Sequence, residues 1–186
     1  MKGYKAFKSN LTCRDYQFTT NKTHKFGGKP ILCAKGFHFC TDLQDVVKYY
    51  HNPDMVVFEI EATGIITDTE DDCSKRACSE ITLVKEISLS EVVLSITKSE
   101  SAYKWARCIG NKDIMINKIN ESQWAYWWAL NIGNQDIMIN KITESAWAYG
   151  WARDIGNKDI MKSRVTEPKW ITVWNIRFPD NKIIYK

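Results

Sequence analysis

All eight tryptophans of this 186-residue chain lie between residues 105 and 174, and seven of them form two columns spaced by 23: Trp105, Trp128, Trp151 and Trp174, and Trp124, Trp147 and Trp170. Gly110, Gly133 and Gly156 keep the same period, as do Asn111, Asn134 and Asn157. A period of this size marks an array of small units, each unable to bury its apolar stripe alone. Within one period, Thr97, Asn120, Thr143 or Thr166 offers a side-chain oxygen to the free amides of a first helical turn. The helix then ends at the glycine, which takes a left-handed conformation without steric cost. The asparagine after it caps a second, shorter helix, with Asp113, Asp136 or Asp159 well placed against its dipole. Trp124, Trp128 and Ile132 are four apart and share a stripe, so the tryptophans in register are assigned to the core.

The pattern predicts a short α-solenoid of 23-residue helical hairpin repeats over residues 98–186, with units at 98–120, 121–143 and 144–166 and a capping segment at 167–186. Pro179 replaces the glycine in the last unit, and "WITVWNIRFPDNKIIYK" is rich in β-branched and aromatic residues around a Pro-Asp-Asn turn, which predicts a β-like cap. Residues 1–97 follow another grammar, that of a mixed α/β domain, so the fold class is α+β. In "MVVFEIEATGII", Val57, Glu59 and Glu61 alternate with Val56, Phe58 and Ile60, a strand ending near Gly64. "EITLVKEISLSEVVLSI" supplies one or two further strand segments. "ILCAKGFHFC" reads as two strand pieces hinged at Gly36, and "DLQDVVKYY" as a helix capped by Thr41 or Asp42 with Leu43, Val46, Val47 and Tyr50 on one face.

With 44% hydrophobic and 26% charged residues the chain has the composition of a globular protein. It contains no apolar run of about 18 residues, and "MKGYKAFKSNLTCRDYQF" lacks the pattern of a secretory signal, so the expected location is the cytoplasm. Cys13, Cys33, Cys40, Cys73, Cys78 and Cys108 are then reduced thiols, and none of their spacings is the close pair that grips a zinc ion. A net charge of +4 with interleaved signs argues against a dedicated nucleic-acid binder. Lys118, Lys141 and Arg164 form a basic column, answered by Asp113, Asp136 and Asp159, and read as solvated faces with intrahelical pairs, a phosphate track being the alternative.

Opposite the tryptophan stripe stand Tyr103, Tyr126 and Tyr149, with Arg107, Leu130 and Arg153 one turn on. They either close a second packing layer or, with Arg107 and Arg153, face a partner, since tyrosine and arginine are enriched at interface hot spots. The slot of Trp127 holds Lys104 in the preceding repeat and Gly150 in the next, so Trp127 is not needed to build a repeat and is either a local contact with the N-terminal half or an anchor for a partner. His24 and His51 lie in polar, turn-like contexts and are expected to be exposed, and the thiol of Cys13 has Arg14 beside it.

"GYKAF" (3–7), "LTCR" (11–14), "GFHFC" (36–40), "DVVKYY" (45–50) and "FEIEATG" (58–64) together resemble an uncharacterised domain of bacteriophage and prophage proteins over residues 3–90. That resemblance implies a phage setting, with a host protein or ribonucleoprotein defence complex, such as CRISPR effector machinery, as the partner and inhibition as the outcome. The order of "GFHF", "DLQDVVKYY" and "VVFEIEATG" also resembles the middle of ADP-ribosyltransferase-type folds. It implies, as an alternative function, an NAD-using enzyme with His38, Tyr4, Phe37, Glu59 and Glu61 as candidate site residues and Glu80 or Glu86 as the late-strand glutamate. No nucleophile, base and orienter are set by spacing, which weighs for a binding protein without a cofactor.

Overall fold

The computed structural model describes residues 1–50, 52–67 and 74–184. By their contacts these fall into two compact units, Met1–Lys112 and Asp113–Lys186. The chain is mixed α/β, with the strands in the N-terminal part and a helical C-terminal half.

The first unit is built on β1 (Lys2–Lys8), β2 (Thr12–Cys13), β3 (Tyr16–Gln17), β4 (Thr23–Lys25), β5 (Phe37–Cys40), β6 (Met55–Ile66) and β7 (Lys75–Ile87). β7 pairs with β4 and β5, β5 with β1, β1 with β6, and β6 returns to β7, all antiparallel. This last pairing closes the sheet into a small barrel, whose narrowest seam is the single pair Tyr4 and Cys40 between β1 and β5. Phe7, Phe18, Phe39, Phe58, Ile60 and Ile81 fill its core. β6 does not stop at Gly64, as the turn-forming glycine suggested, but runs to Ile66 through a register shift. Gly64 sits there at φ +69°, where a Cβ would come within 2.3 Å of Ser79 Oγ, so it marks an irregularity in the ladder and not its end.

Two local expectations are corrected. "SEVVLSI" is not strand but part of α2 (Leu89–Ser95), nucleated by a capping box in which Ser88 Oγ accepts from Glu91 N and the Glu91 carboxylate accepts from Ser88 N. "DLQDVVKYY" forms only a 3-10 turn, Leu43–Asp45, capped by Asp42, followed by one turn of α-helix, α1 (Val46–Tyr49). Val46 and Val47 are buried and Tyr50 is already extended.

The periodic region begins with α3 (Ser99–Cys108), which belongs to the first unit and packs on α1. There follow α4 (Lys112–Met115), α5 (Ser122–Asn131), α6 (Gln135–Met138), α7 (Ser145–Asp154), α8 (Lys158–Lys162) and α9 (Pro168–Arg177). Ten-residue helices thus alternate with short ones, and in the second unit α5 packs on α7 and α7 on α9. Trp105, Trp128, Trp151 and Trp174 are all fully buried, whereas Trp124, Trp147 and Trp170 are half-buried. The β-like cap is overturned: residues 168–177 form α9 with Pro168 at its first turn, and Pro179–Asn181 is a 3-10 turn. Proline at a helix start and tryptophans four apart outweigh the β propensity of Ile, Thr and Val here.

The threonine and asparagine slots also work differently from the capping rule. The N-cap residues are Lys98, Glu121, Glu144 and Glu167, without side-chain caps. The orphan amides are served from elsewhere. Ser122 Oγ accepts from Thr143 N and Glu144 N at 2.9 and 3.3 Å, and Ser145 Oγ from Thr166 N and Glu167 N at 3.0 and 3.2 Å. At the first long helix Gln44 does this work, its Oε1 accepting from Thr97 N and Lys98 N at 2.9 Å each. Asn111, Asn134 and Asn157 stand in the left-handed region at φ +55 to +58°. Asn134 and Asn157 make no side-chain cap on the next helix, and the Oδ1 atoms of Asn111 and Asn134 accept from the indole N–H of Trp105 and Trp128 at 3.1 and 3.4 Å.

Candidate functional site

The first unit contains a cleft of about 580 Å3 beside β1 and β5, within the range of small-molecule sites. β1 supplies its central group. In a strand side chains alternate, so Gly3, Lys5 and Phe7 share one face, and Phe7 points into the core. Lys5 is therefore carried inward and is only 9% exposed. Its Nζ donates to His38 O at 2.9 Å and to Cys13 Sγ at 3.4 Å, and lies 5.4 and 5.7 Å from the ring centres of Phe7 and Phe18. Burial pushes the Lys5 ammonium below its usual pKa, with the Cys13 thiol pulling the other way.

His38, on β5, lines the same cleft with Tyr4 and Phe37. Its pKa is lowered to about 4, first by burial and then by the charges of Lys75, Lys5 and Arg14, while a hydrogen bond with the Ile31 backbone opposes the shift. The imidazole is neutral at pH 7, and Nε2 is buried without a hydrogen-bond partner. Gly36 lets the strand start close under the preceding loop: at φ +90°, a Cβ would meet Pro30 Cβ at 2.8 Å and Cys78 O at 2.9 Å. Burial pushes the Cys78 thiol up to about 11, which leaves it protonated.

Of the residues implied by the transferase resemblance, the cleft gathers His38, Tyr4 and Phe37 and leaves out the glutamates. Glu59 pairs with Lys2 at 2.8 Å, Glu61 is exposed, and Glu80 pairs with Lys25 at 3.1 Å. None of the four, Glu86 included, lines the cleft. His24 is not exposed: it is 3% accessible, with Tyr16 Oη 3.1 Å from Nδ1 and Thr19 O 3.0 Å from Nε2, a structural role between β3 and β4. His51 and Cys73 lie outside the described residues. Cys13 Sγ accepts from Lys5 Nζ, a partner that its sequence neighbourhood did not suggest. Lys5 escaped notice because a lysine within "GYKAF" looks solvated; the signal that reveals it is its shared parity with Phe7.

In the repeats, Tyr103 and Tyr126 are each 5% exposed and Tyr149 is half-buried. The Tyr126 ring lies 5.4 Å from that of Trp147, and Tyr149 lies 5.5 Å from Trp170, so these two tyrosines pack on the half-buried tryptophan of the next repeat. Tyr126 Oη donates to Asp154 Oδ2 at 2.5 Å, and Asp154 also takes both Nε and Nη2 of Arg153 at 2.7 Å. Exposed Arg107 donates to Tyr103 Oη at 3.4 Å. The basic column is likewise engaged: Lys141 donates to Ile116 O and Ile119 O, and Arg164 to Ile139 O and Ile142 O, closing the ends of the preceding short helices. Several large apolar side chains stand among the exposed polar ones. Trp127 and Leu130 on α5 are 36% and 43% exposed, and Ile114, Ile137 and Ile160, one per short helix and 23 residues apart, are 48%, 42% and 46% exposed. The adjacent Met115, Met138 and Met161 are completely buried. Sequence reasoning passed over this row because an isoleucine beside a methionine reads as core.

Fold and cleft together define the first unit as a small closed antiparallel barrel with a lysine-bearing, aromatic-walled cavity. Residues 1–95, more than half of the chain, match the family described as Domain of unknown function (DUF7666), and the chain belongs to that family. No curated protein and no solved structure matches the chain.

Proposed function

We propose that the chain is a protein-binding module whose periodic half is a short solenoid of helical hairpins presenting an apolar row to a partner. The carrying observation is the row itself. Ile114, Ile137 and Ile160 occupy one slot of three successive repeats, and each keeps between 42% and 48% of its surface exposed. Aligned exposed slots are how repeat arrays build extended docking surfaces. The engagement of Lys141 and Arg164 with backbone carbonyls weighs for a protein partner over a nucleic acid. In the phage setting implied by the sequence resemblance, the partner is a host protein or defence complex in the cytoplasm, which the chain would inhibit.

The test replaces Ile114, Ile137 and Ile160 together by lysine. These side chains are exposed, so the helical circular dichroism should stay unchanged. Wild type and triple variant are compared as baits in host lysate, and a protein captured only by wild type is purified and titrated against both. The expected result is binding by wild type with at least a tenfold loss in the variant; equal binding by both would refute the docking face.

A further inference from the structure

The barrel cleft carries a charge pattern that the protein-binding reading leaves unused. Its described lining includes four cationic side chains, Lys5, Arg14, Lys35 and Lys75, and no carboxylate. Most of those charges can face water, but Lys5 cannot. Its ammonium is held by a carbonyl and a thiol, and among the described residues no aspartate or glutamate forms an ion pair with it. An ammonium removed from water is disfavoured until a negative charge meets it. The neighbouring His38 Nε2 is a second polar atom, buried and unpaired, in the same cavity. Around these polar atoms the walls are flat and aromatic, with Tyr4, Tyr16, Phe18, Phe37, Phe39 and Tyr50 among them. Such rings offer faces and edges to another ring. An apolar cavity with a few convergent polar groups is the general form of a small-molecule site, and here the polar groups are basic.

We propose that this cleft binds a small planar aromatic molecule bearing a carboxylate or phosphate, with the anion on Lys5 Nζ and the ring among the tyrosine and phenylalanine side chains. The anion supplies the counter-charge that Lys5 lacks, and the ring packs against the open faces of Tyr4, Tyr16 and Tyr50. The neutral imidazole of His38 then gains a negative neighbour, so its pKa rises from about 4 on binding. The site is independent of the isoleucine row, and its failure would leave the protein-binding reading untouched.

Four probes separate the contributions: 2-naphthoate, 2-naphthyl phosphate, 2-naphthylmethanol and inorganic phosphate, each titrated into the full chain by calorimetry. The expected result is that one or both aromatic anions bind at least tenfold more tightly than the neutral alcohol and than inorganic phosphate, the two anions between them showing which acid the site prefers. Lys5→Met should bring them down to the level of the alcohol while leaving the alcohol unaffected. Saturation with the preferred anion should move the His38 ring titration, followed by NMR, upward by at least half a pH unit. Thermal unfolding checks the fold of Lys5→Met; if it does not fold, the half-buried Lys75→Met variant takes its place, with a several-fold loss of the anion preference expected. No binding of either anion, equal affinity for the anions and the alcohol, or a preference that survives the lysine substitution would overturn the proposal.

Discussion

The repeats show how one residue can hold two jobs. Asn134 adopts φ +55°, which few residues tolerate, and uses its side chain to satisfy the indole of Trp128. Asn157 adopts the same backbone at φ +58°, yet among the described residues Trp151 Nε1 is buried with no acceptor. Glycine keeps the backbone and removes only the amide. Asn134→Gly should therefore cost ~1–2 kcal/mol by orphaning a buried N–H, whereas Asn157→Gly should stay within about 0.5 kcal/mol of wild type. Urea unfolding of the two variants makes the comparison, and equal losses would mean that the indole contact does not matter. His38 gives a pH dependence. Its folded pKa of about 4 lies below the usual 6.5, so the unfolded chain binds the extra proton first as the pH falls. The stability associated with a neutral His38 is complete above pH 6.5 and is lost between there and pH 4. The urea midpoint should fall between pH 7 and 5 in wild type, and the fall should be smaller in His38→Gln.

At the scale of elements, the sequence carried what depends on period and little of what depends on partners. The 23-residue spacing located the long helices, because a tryptophan column in register with a glycine breaker allows few other readings. The strand in "MVVFEIEATGII" was legible from its alternation, and its continuation past Gly64 was not, because a bulge depends on the facing strand. Thr143 and Thr166 were assigned as helix caps from residue type alone, but the donors at those helix starts are satisfied by Ser122 and Ser145, 21 residues earlier. That is a contact between repeats, and no single-repeat rule contains it. The C-terminal segment misled for a related reason: Ile171, Thr172 and Val173 favour a strand locally, while Ile171 and Trp174 are buried from one face of a helix. Of the cleft, His38, Tyr4 and Phe37 were visible as candidates, and Lys5 was hidden because a lysine is expected in water, although its parity with Phe7 on β1 carries it inward.

For the molecule as a whole, the change of grammar at residue 98 and the boundary between contact units at residue 112 mark different things. The family match stops at residue 95, yet α3 is tied to the barrel unit by polar contacts as well as by packing. Asp45, 4% exposed, is pushed up by burial, but the Ser74 hydroxyl and the ammonium groups of Lys98 and Lys48 outweigh that and hold its carboxyl below the usual range. Lys98 Nζ reaches Asp42 and Asp45 at 3.1 and 3.2 Å, and Glu100 bridges Lys48 and Lys104 at 3.0 and 2.7 Å. Ending the chain at residue 97 would remove Lys98 and Glu100 and uncover the α1 face on which α3 packs, leaving a buried carboxylate short of a partner. A fragment of residues 1–112 keeps the whole set and should unfold in a single cooperative transition. A fragment of residues 1–97 should be less stable by roughly 2–4 kcal/mol, a fall in Tm on the order of 10 °C or more. Calorimetry on the two fragments decides the matter: equal melting temperatures would show that α3 is an ornament of the barrel, and a large gap would make the first repeat helix part of its fold.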